Sequence, residues 1–193
     1  WLDRVFDFSV QLEVETDKAR TIAFTRLLNN HRGQFKGVVT SSFCQGVAPE
    51  ITRFLMEPKE GRPRVYHFYE TLIISRLFSE MCNSGYIGPL GIDAFVYRSP
   101  KGTLRLKTIV EINSRMTMGR IGYELSKRNA ARSVGLFQIL TRSQLSKTDT
   151  SSFIDYSRQL MAQYPTFLTK ETNPRLVSSS SPLNDPYTAK KFL

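Results

Sequence analysis

The sequence of 193 residues has few of the side chains that most often build metal sites and disulfide frameworks. It contains two cysteines, Cys44 and Cys82, and two histidines, His31 and His67. Their spacing fits no zinc-binding pattern, and two scattered thiols are more typical of a reducing compartment than of a disulfide-bonded protein. We therefore expect a cytoplasmic location and no catalysis by a cysteine–histidine or serine–histidine pair.

Long apolar stretches and dense basic stretches are also missing. No segment approaches the roughly 20 apolar residues that cross a bilayer, so we expect no membrane partner. The formal net charge is +10, which predicts an anionic partner without choosing between a nucleotide, a nucleic acid and an anionic surface. A nucleic acid is the less favoured of these, because the chain has no recognisable binding motif for one and its aromatic residues fall at core-like positions.

The periodicity of apolar residues predicts an α+β fold, with a mainly antiparallel sheet flanked by helices. Strands are expected at 8–14, 21–28, 35–40, 91–97, 104–112 and 134–140, and helices from residue 49, at 65–82, 117–131 and 153–163. Short polar turns between the first three strands indicate an antiparallel meander. Gly85 is placed to end the helix before it. We expect one domain over residues 1–165, followed by an irregular polar tail over residues 166–193.

The chemistry-bearing residues of the chain lie on the hairpin expected from the fourth and fifth strands. Glu111 and Asn113 are two apart and therefore project from one face, and pairing across the hairpin would place Asp93 beside them. Magnesium prefers such oxygen ligands, and Arg115 is suited to bind a phosphoryl group or a carboxylate. The same spacing also fits a solvated sheet face on which Arg115 pairs with one of the carboxylates.

Two stretches of this hairpin resemble the closing segment of the ATP-grasp ligases: Gly-Tyr-Ile-Gly-Pro-Leu-Gly-Ile-Asp at residues 85–93 and Val-Glu-Ile-Asn-Ser-Arg at residues 110–115. The resemblance implies that this chain is the C-terminal subdomain of an ATP-grasp domain. It implies that Asp93, Glu111 and Asn113 bind the Mg²⁺ ions that hold ATP. It also implies that Arg115 is a catalytic residue that contacts phosphate or an acyl phosphate.

The start of the chain is similar to the family's segment after the hinge that binds adenine. Trp1, Leu2 and Asp7 would then line the nucleotide site, with Asp7 on the ribose hydroxyls, although an ordinary strand residue fits Asp7 as well. The implied partners are ATP, a small carboxylate substrate and the family's earlier, lysine-bearing N-terminal segment, which is missing from residues 1–193.

These resemblances imply an ATP-dependent carboxylate–amine or carboxylate–thiol ligase that acts through an acyl phosphate. For residues 1–193 alone we expect weak nucleotide binding and no turnover. The alternatives are a non-catalytic ATP-grasp-like binding or regulatory module and, less favoured, a basic nucleic-acid-binding domain.

Overall fold

A six-stranded antiparallel sheet organises the protein in the computed structural model, which describes residues 2–30 and 32–193. The strands are β1 (Asp3–Val14), β2 (Ala19–Asn29), β3 (Phe35–Thr40), β4 (Pro58–Lys59), β5 (Arg62–Pro63), β6 (Gly88–Arg98), β7 (Leu104–Asn113), β8 (Gly135–Gln138), β9 (Phe167–Leu168) and β10 (Leu176–Ser178). The helices are α1 (Pro49–Met56), α2 (Arg64–Phe68), a π-helical turn (Tyr69–Ile74), α3 (Ser75–Ser84), α4 (Met118–Ser126), α5 (Arg142–Leu145) and α6 (Phe153–Gln163). The α+β prediction is confirmed.

The strand order of the main sheet is β7-β6-β1-β2-β3-β8, and every neighbouring pair is antiparallel. Strands β1 to β3 form the expected meander, because short turns connect them in sequence order. The β6–β7 hairpin then joins the other side of β1. This topology sets the strand that carries Asp7 directly beside the hairpin that carries Asp93 and Glu111.

The two faces of the sheet differ because apolar and polar residues alternate along β1 and β6. One face buries Phe8, Val10 and Ile92, each 0% exposed, against the helical segment from α1 to α3. Tyr69 in that segment is also fully buried and donates a hydrogen bond to the Thr108 carbonyl at 2.6 Å. The opposite face of β1 carries the polar residues at positions 7, 9, 11 and 13.

Helix α4 covers one end of the polar face and comes very close to it through two glycines. A Cβ atom on Gly119 would lie 2.5 Å from Gln11 Nε2, and one on Gly122 would lie 2.4 Å from Val38 Cγ1. Ordinary carbon–carbon contacts are about 3.5–4.0 Å, so larger residues at these two positions would push the helix off the sheet. The other end of the polar face, beyond Asp93, is not covered by α4.

Helix α4 ends at Ser126, which corrects the expected helix over 117–131. Beyond Ser126 the backbone forms hydrogen bonds with the C-terminal tail. Ala130 N–H donates to the Leu176 carbonyl at 2.7 Å, and Leu176 N–H donates to the Arg128 carbonyl at 2.8 Å. These bonds replace the i to i−4 bonds that a longer helix would need. The strand expected at 134–140 is shorter as well, spanning Gly135–Gln138.

The segment over residues 166–193 is mostly irregular and packs along the rest of the chain. It contains the short β9–β10 ladder, and the backbones of Leu193 and Leu140 bond in both directions at 2.8 and 2.9 Å. Within residues 2–30 and 32–193, no helix is long and apolar enough to cross a membrane.

Candidate functional site

The centre of the candidate site is a row of polar residues that crosses three neighbouring strands. In the register of the sheet, Ser9 of β1 lies opposite Asp93 of β6, and Asp93 lies opposite Glu111 of β7. Directly opposed residues of an antiparallel sheet project from the same face, with Cβ atoms about 4.5–5.5 Å apart. The structure therefore brings the two predicted carboxylates together on the polar face.

A second row lies one step closer to α4 and contains the predicted amide ligand. Asn113 is opposite Gly91, which in turn is opposite Gln11. Asn113 is 8% exposed, and its Oδ1 accepts a hydrogen bond from Arg115 Nη2 at 3.1 Å. The predicted metal ligands thus occupy one contiguous part of the sheet, and Arg115 lies just beyond the end of β7. The metal-binding role of these residues remains a prediction.

The electrostatics of Asp93 reflect this crowding. Burial of the carboxyl group raises the pKa of Asp93, and the hydrogen bond from Ser9 opposes that effect. The carboxylates of Glu111 and Asp7 raise the pKa of Asp93 further, whereas the Arg115 guanidinium lowers it. A partly buried carboxyl group that faces a second carboxyl group is an arrangement that a bound cation would relieve.

The residues predicted to contact the nucleotide base and ribose lie at the uncovered end of the face. Leu2 and Asp7 line a cleft of about 600 Å³ that is also bounded by Arg4, Asn29 and Arg32. Asp7 Oδ1 accepts a hydrogen bond from Arg4 Nε at 2.9 Å, so this carboxylate is already paired. Trp1, the third predicted contact, lies outside the described residues.

Four residues of this face were not predicted from the sequence. Lys107 lies opposite Phe95, and Arg105 lies opposite Tyr97, in the two rows that follow the Asp93 row. The Phe95 and Tyr97 rings contact each other edge to face, with centroids 6.0 Å apart. In the described part of the chain, the ion pairs do not include Arg105 or Lys107. The alternation Leu-Arg-Leu-Lys at residues 104–107 was the available signal.

The donor set suits a hard divalent cation. Two carboxylates and one amide oxygen, completed by phosphate oxygens and water, are a typical Mg²⁺ environment. No group of three or more His, Cys, Asp or Glu side chains that could hold a metal occurs among the residues the structure describes. A cation at this face would therefore need its remaining ligands from a bound substrate or from solvent.

The comparisons with known proteins assign no family. No protein-family model matches the chain, and a search of curated proteins found no match. The case for a function therefore rests on the geometry of the polar face.

Proposed function

We propose that this chain is the magnesium- and phosphate-binding part of an ATP-dependent ligase of the ATP-grasp type. Such an enzyme joins a carboxylate to an amine or a thiol through an acyl phosphate. The observation that carries the proposal is the direct opposition of Asp93 and Glu111, with Asn113 and Arg115 on the same face. A cation shared by the two carboxylates would offset their mutual repulsion and the partial burial of Asp93.

The order of features along the sheet supports a nucleotide as the ligand. The cleft at Leu2 and Asp7 and the acidic row at Asp93 lie on one face, because Asp7 and Ser9 are alternate residues of β1. Alternate strand residues are about 7 Å apart. A nucleotide with its base and ribose in the cleft would extend its phosphates over the acidic row.

The residues of the site have distinct tasks in this reaction. Bound Mg²⁺ would neutralise charge on the phosphate groups. Asp93, Glu111 and Asn113 would hold the ion with their side-chain oxygens. Arg115 uses one guanidinium nitrogen on Asn113, and the remaining N–H groups of a guanidinium suit a phosphoryl oxygen.

The bond changes need no nucleophile from the protein. An oxygen of the substrate carboxylate attacks the γ-phosphorus of ATP, and ADP leaves. An amine or a thiol then attacks the acyl carbon, and inorganic phosphate leaves. We place the protein in the cytoplasm, where ATP and Mg²⁺ are abundant and where free thiols such as Cys44 and Cys82 persist.

The proposal is tested by titrating the 193-residue chain with Mg²⁺·ADP in a calorimeter. We expect measurable heat for the wild type and a severe loss of affinity for Glu111→Ala. Glu80→Ala is the matched control, because Glu80 is an exposed glutamate of α3, outside the site. Equal affinity in Glu111→Ala and the wild type would exclude the metal assignment. Salt-dependent binding of oligonucleotides without any Mg²⁺·ADP binding would favour the nucleic-acid alternative instead.

A further inference from the structure

A chain of buried hydrogen bonds runs from the acidic row to the start of α4, beneath the helix. Gln11, which is 2% exposed, lies at its centre. The Gln11 amide nitrogen donates to Ser9 Oγ at 2.8 Å, and the Gln11 amide oxygen accepts from Thr117 Oγ1 at 2.7 Å. Both ends of the amide are therefore engaged, which fixes its orientation.

The two ends of this hydrogen-bond series lie at different parts of the candidate metal site, one at β6 and the other after β7. Ser9 Oγ, which accepts from Gln11, belongs to the residue directly opposite Asp93 in the register of β1 and β6. Thr117 is the N-cap of α4 and accepts from Arg120 N–H at 3.3 Å. Thr117 lies two residues after Arg115 and four after Asn113, the last residue of β7, so it anchors the segment that leaves that strand.

Two glycines leave room for this series of hydrogen-bonded side chains. A Cβ atom on Gly91 would lie 2.6 Å from Thr117 Cγ2, and one on Gly119 would lie 2.5 Å from Gln11 Nε2. Glycine at these two positions lets the threonine and the glutamine pack between the sheet and the helix. A neighbouring contact, from Thr25 Oγ1 to the Ser9 carbonyl at 3.2 Å, braces the backbone but does not belong to the side-chain relay.

We propose that Gln11 is a positioning residue of the metal site. Its buried amide holds the Ser9 hydroxyl against Asp93 at one end and holds the start of α4 through Thr117 at the other. The ligand on β6 and the ligands at the end of β7 are thereby kept at a fixed separation. This inference rests on the proposed function, because it assigns Gln11 a part in the same Mg²⁺ site.

The test uses Mn²⁺ as the probe, with ADP present, and follows its binding to the full chain by electron paramagnetic resonance. Gln11→Met and Thr117→Val should each weaken Mn²⁺ affinity by about 10- to 100-fold, the usual effect of removing a group that orients a metal ligand. The spectrum of the remaining bound Mn²⁺ should broaden, because its ligands are no longer held in one geometry. Thr117→Ser, which keeps the hydroxyl, should restore both affinity and line shape.

Thr25→Val is the matched control, since it removes a buried threonine hydroxyl near Ser9 but leaves the relay intact. It should bind Mn²⁺ as the wild type does. Should Gln11→Met fail to fold, Ser9→Ala breaks the same relay and should give the same loss. Wild-type affinity in Thr117→Val, or an equal loss in Thr25→Val, would overturn the positioning role while leaving the proposed function standing. A wild-type chain that binds no Mn²⁺ in the presence of ADP would overturn both.

Discussion

Replacing Asp93 by asparagine should stabilise the protein when no metal is present. The variant keeps the shape of the side chain and an oxygen acceptor for the Ser9 hydroxyl, but it removes a negative charge opposite Glu111. A like-charged pair directly across two strands costs about 0.2–1 kcal/mol. The exposure of Glu111 and the nearby Arg115 reduce this cost, whereas the partial burial of Asp93 adds to it. We expect the free energy of unfolding to rise by about 0.5–1 kcal/mol, and Tm by about 1–4 °C.

The pH dependence of this difference follows from the raised pKa of Asp93. Burial, with the charges of Glu111 and Asp7, raises the pKa of Asp93 above its ordinary value of 3.8. The folded protein therefore binds this proton more tightly than the unfolded chain does. The destabilising contribution is absent below the ordinary pKa and is complete above the raised one. The advantage of Asp93→Asn should thus grow as the pH rises above 3.8, the ordinary pKa, and level off above the raised one.

Adding Mg²⁺·ADP should reverse the order of stability. A ligand at ten times its Kd stabilises the folded state by about 1.4 kcal/mol. That exceeds the advantage of Asp93→Asn, so the wild type should become the more stable protein, while the variant gains little. Asp149→Asn, at an exposed position outside the site, should change neither measurement. Thermal or urea unfolding, with chelator and with Mg²⁺·ADP, measures both effects. If Asp93→Asn is less stable than the wild type in chelator, the charge repulsion between Asp93 and Glu111 is refuted. If Asp93→Asn is still the more stable protein with Mg²⁺·ADP present, the role of Asp93 as a metal ligand is refuted.

Three further predictions test separate parts of the structure. Burial raises the pKa of the Cys44 thiol, so at neutral pH iodoacetamide should modify exposed Cys82 faster than Cys44. The modification rate of Cys44, followed by mass spectrometry, should keep rising beyond pH 9. Equal rates for the two cysteines would contradict the burial of Cys44. Gly122→Ala should lower the free energy of unfolding by about 1–3 kcal/mol, because its methyl group overpacks a buried valine of β3; a loss within measurement error would contradict the close approach of α4. Lys107→Gln should weaken Mg²⁺·ADP binding by about two- to fivefold at low salt. Lys101→Gln, in the turn of the same hairpin, should leave the affinity unchanged. Equal losses of affinity in the two variants would show that Lys107 does not contribute to the nucleotide site.

Much of the fold is encoded in local patterns that the sequence displays. Alternation along residues 8–14 predicts β1, helical spacing over 65–82 predicts the segment from α2 to α3, and Gly85 ends that segment with φ at 68°. The hairpin of β6 and β7 also follows from its turn, and the register next to the turn pairs Arg98 with Leu104 and Phe95 with Lys107. These features depend on residues near each other in the chain, which is why periodicity and turn chemistry suffice.

Other features depend on pairings between distant segments and could not be predicted. The register between β1 and β6 places Ser9 beside Asp93, and nothing local to either strand specifies it. An irregularity in the β6–β7 ladder between Asp93 and Phe95 shifts the pairing by two residues, so that Asp93 faces Glu111 instead of Ile109. Sequence alternation alone gives neither the position nor the size of such an irregularity.

The residue at which α4 ends could not be predicted from the local sequence either. The helix-forming sequence after Ser126 favours a longer helix, but the backbone there bonds to Leu176 of the tail instead. Tertiary pairing with a segment about 45 residues away overrides the local preference.

The location of a bound metal ion tests the central proposal most directly. Crystals of the chain grown with Mn²⁺ and ADP allow the ion to be placed by its anomalous scattering. The proposal predicts a peak about 2.1 Å from carboxylate oxygens of Asp93 and Glu111, with the Asn113 oxygen in the same coordination group. A well-occupied Mn²⁺ ion elsewhere on the chain, or ligand oxygens more than about 8 Å apart, would contradict it, since such oxygens cannot share one ion.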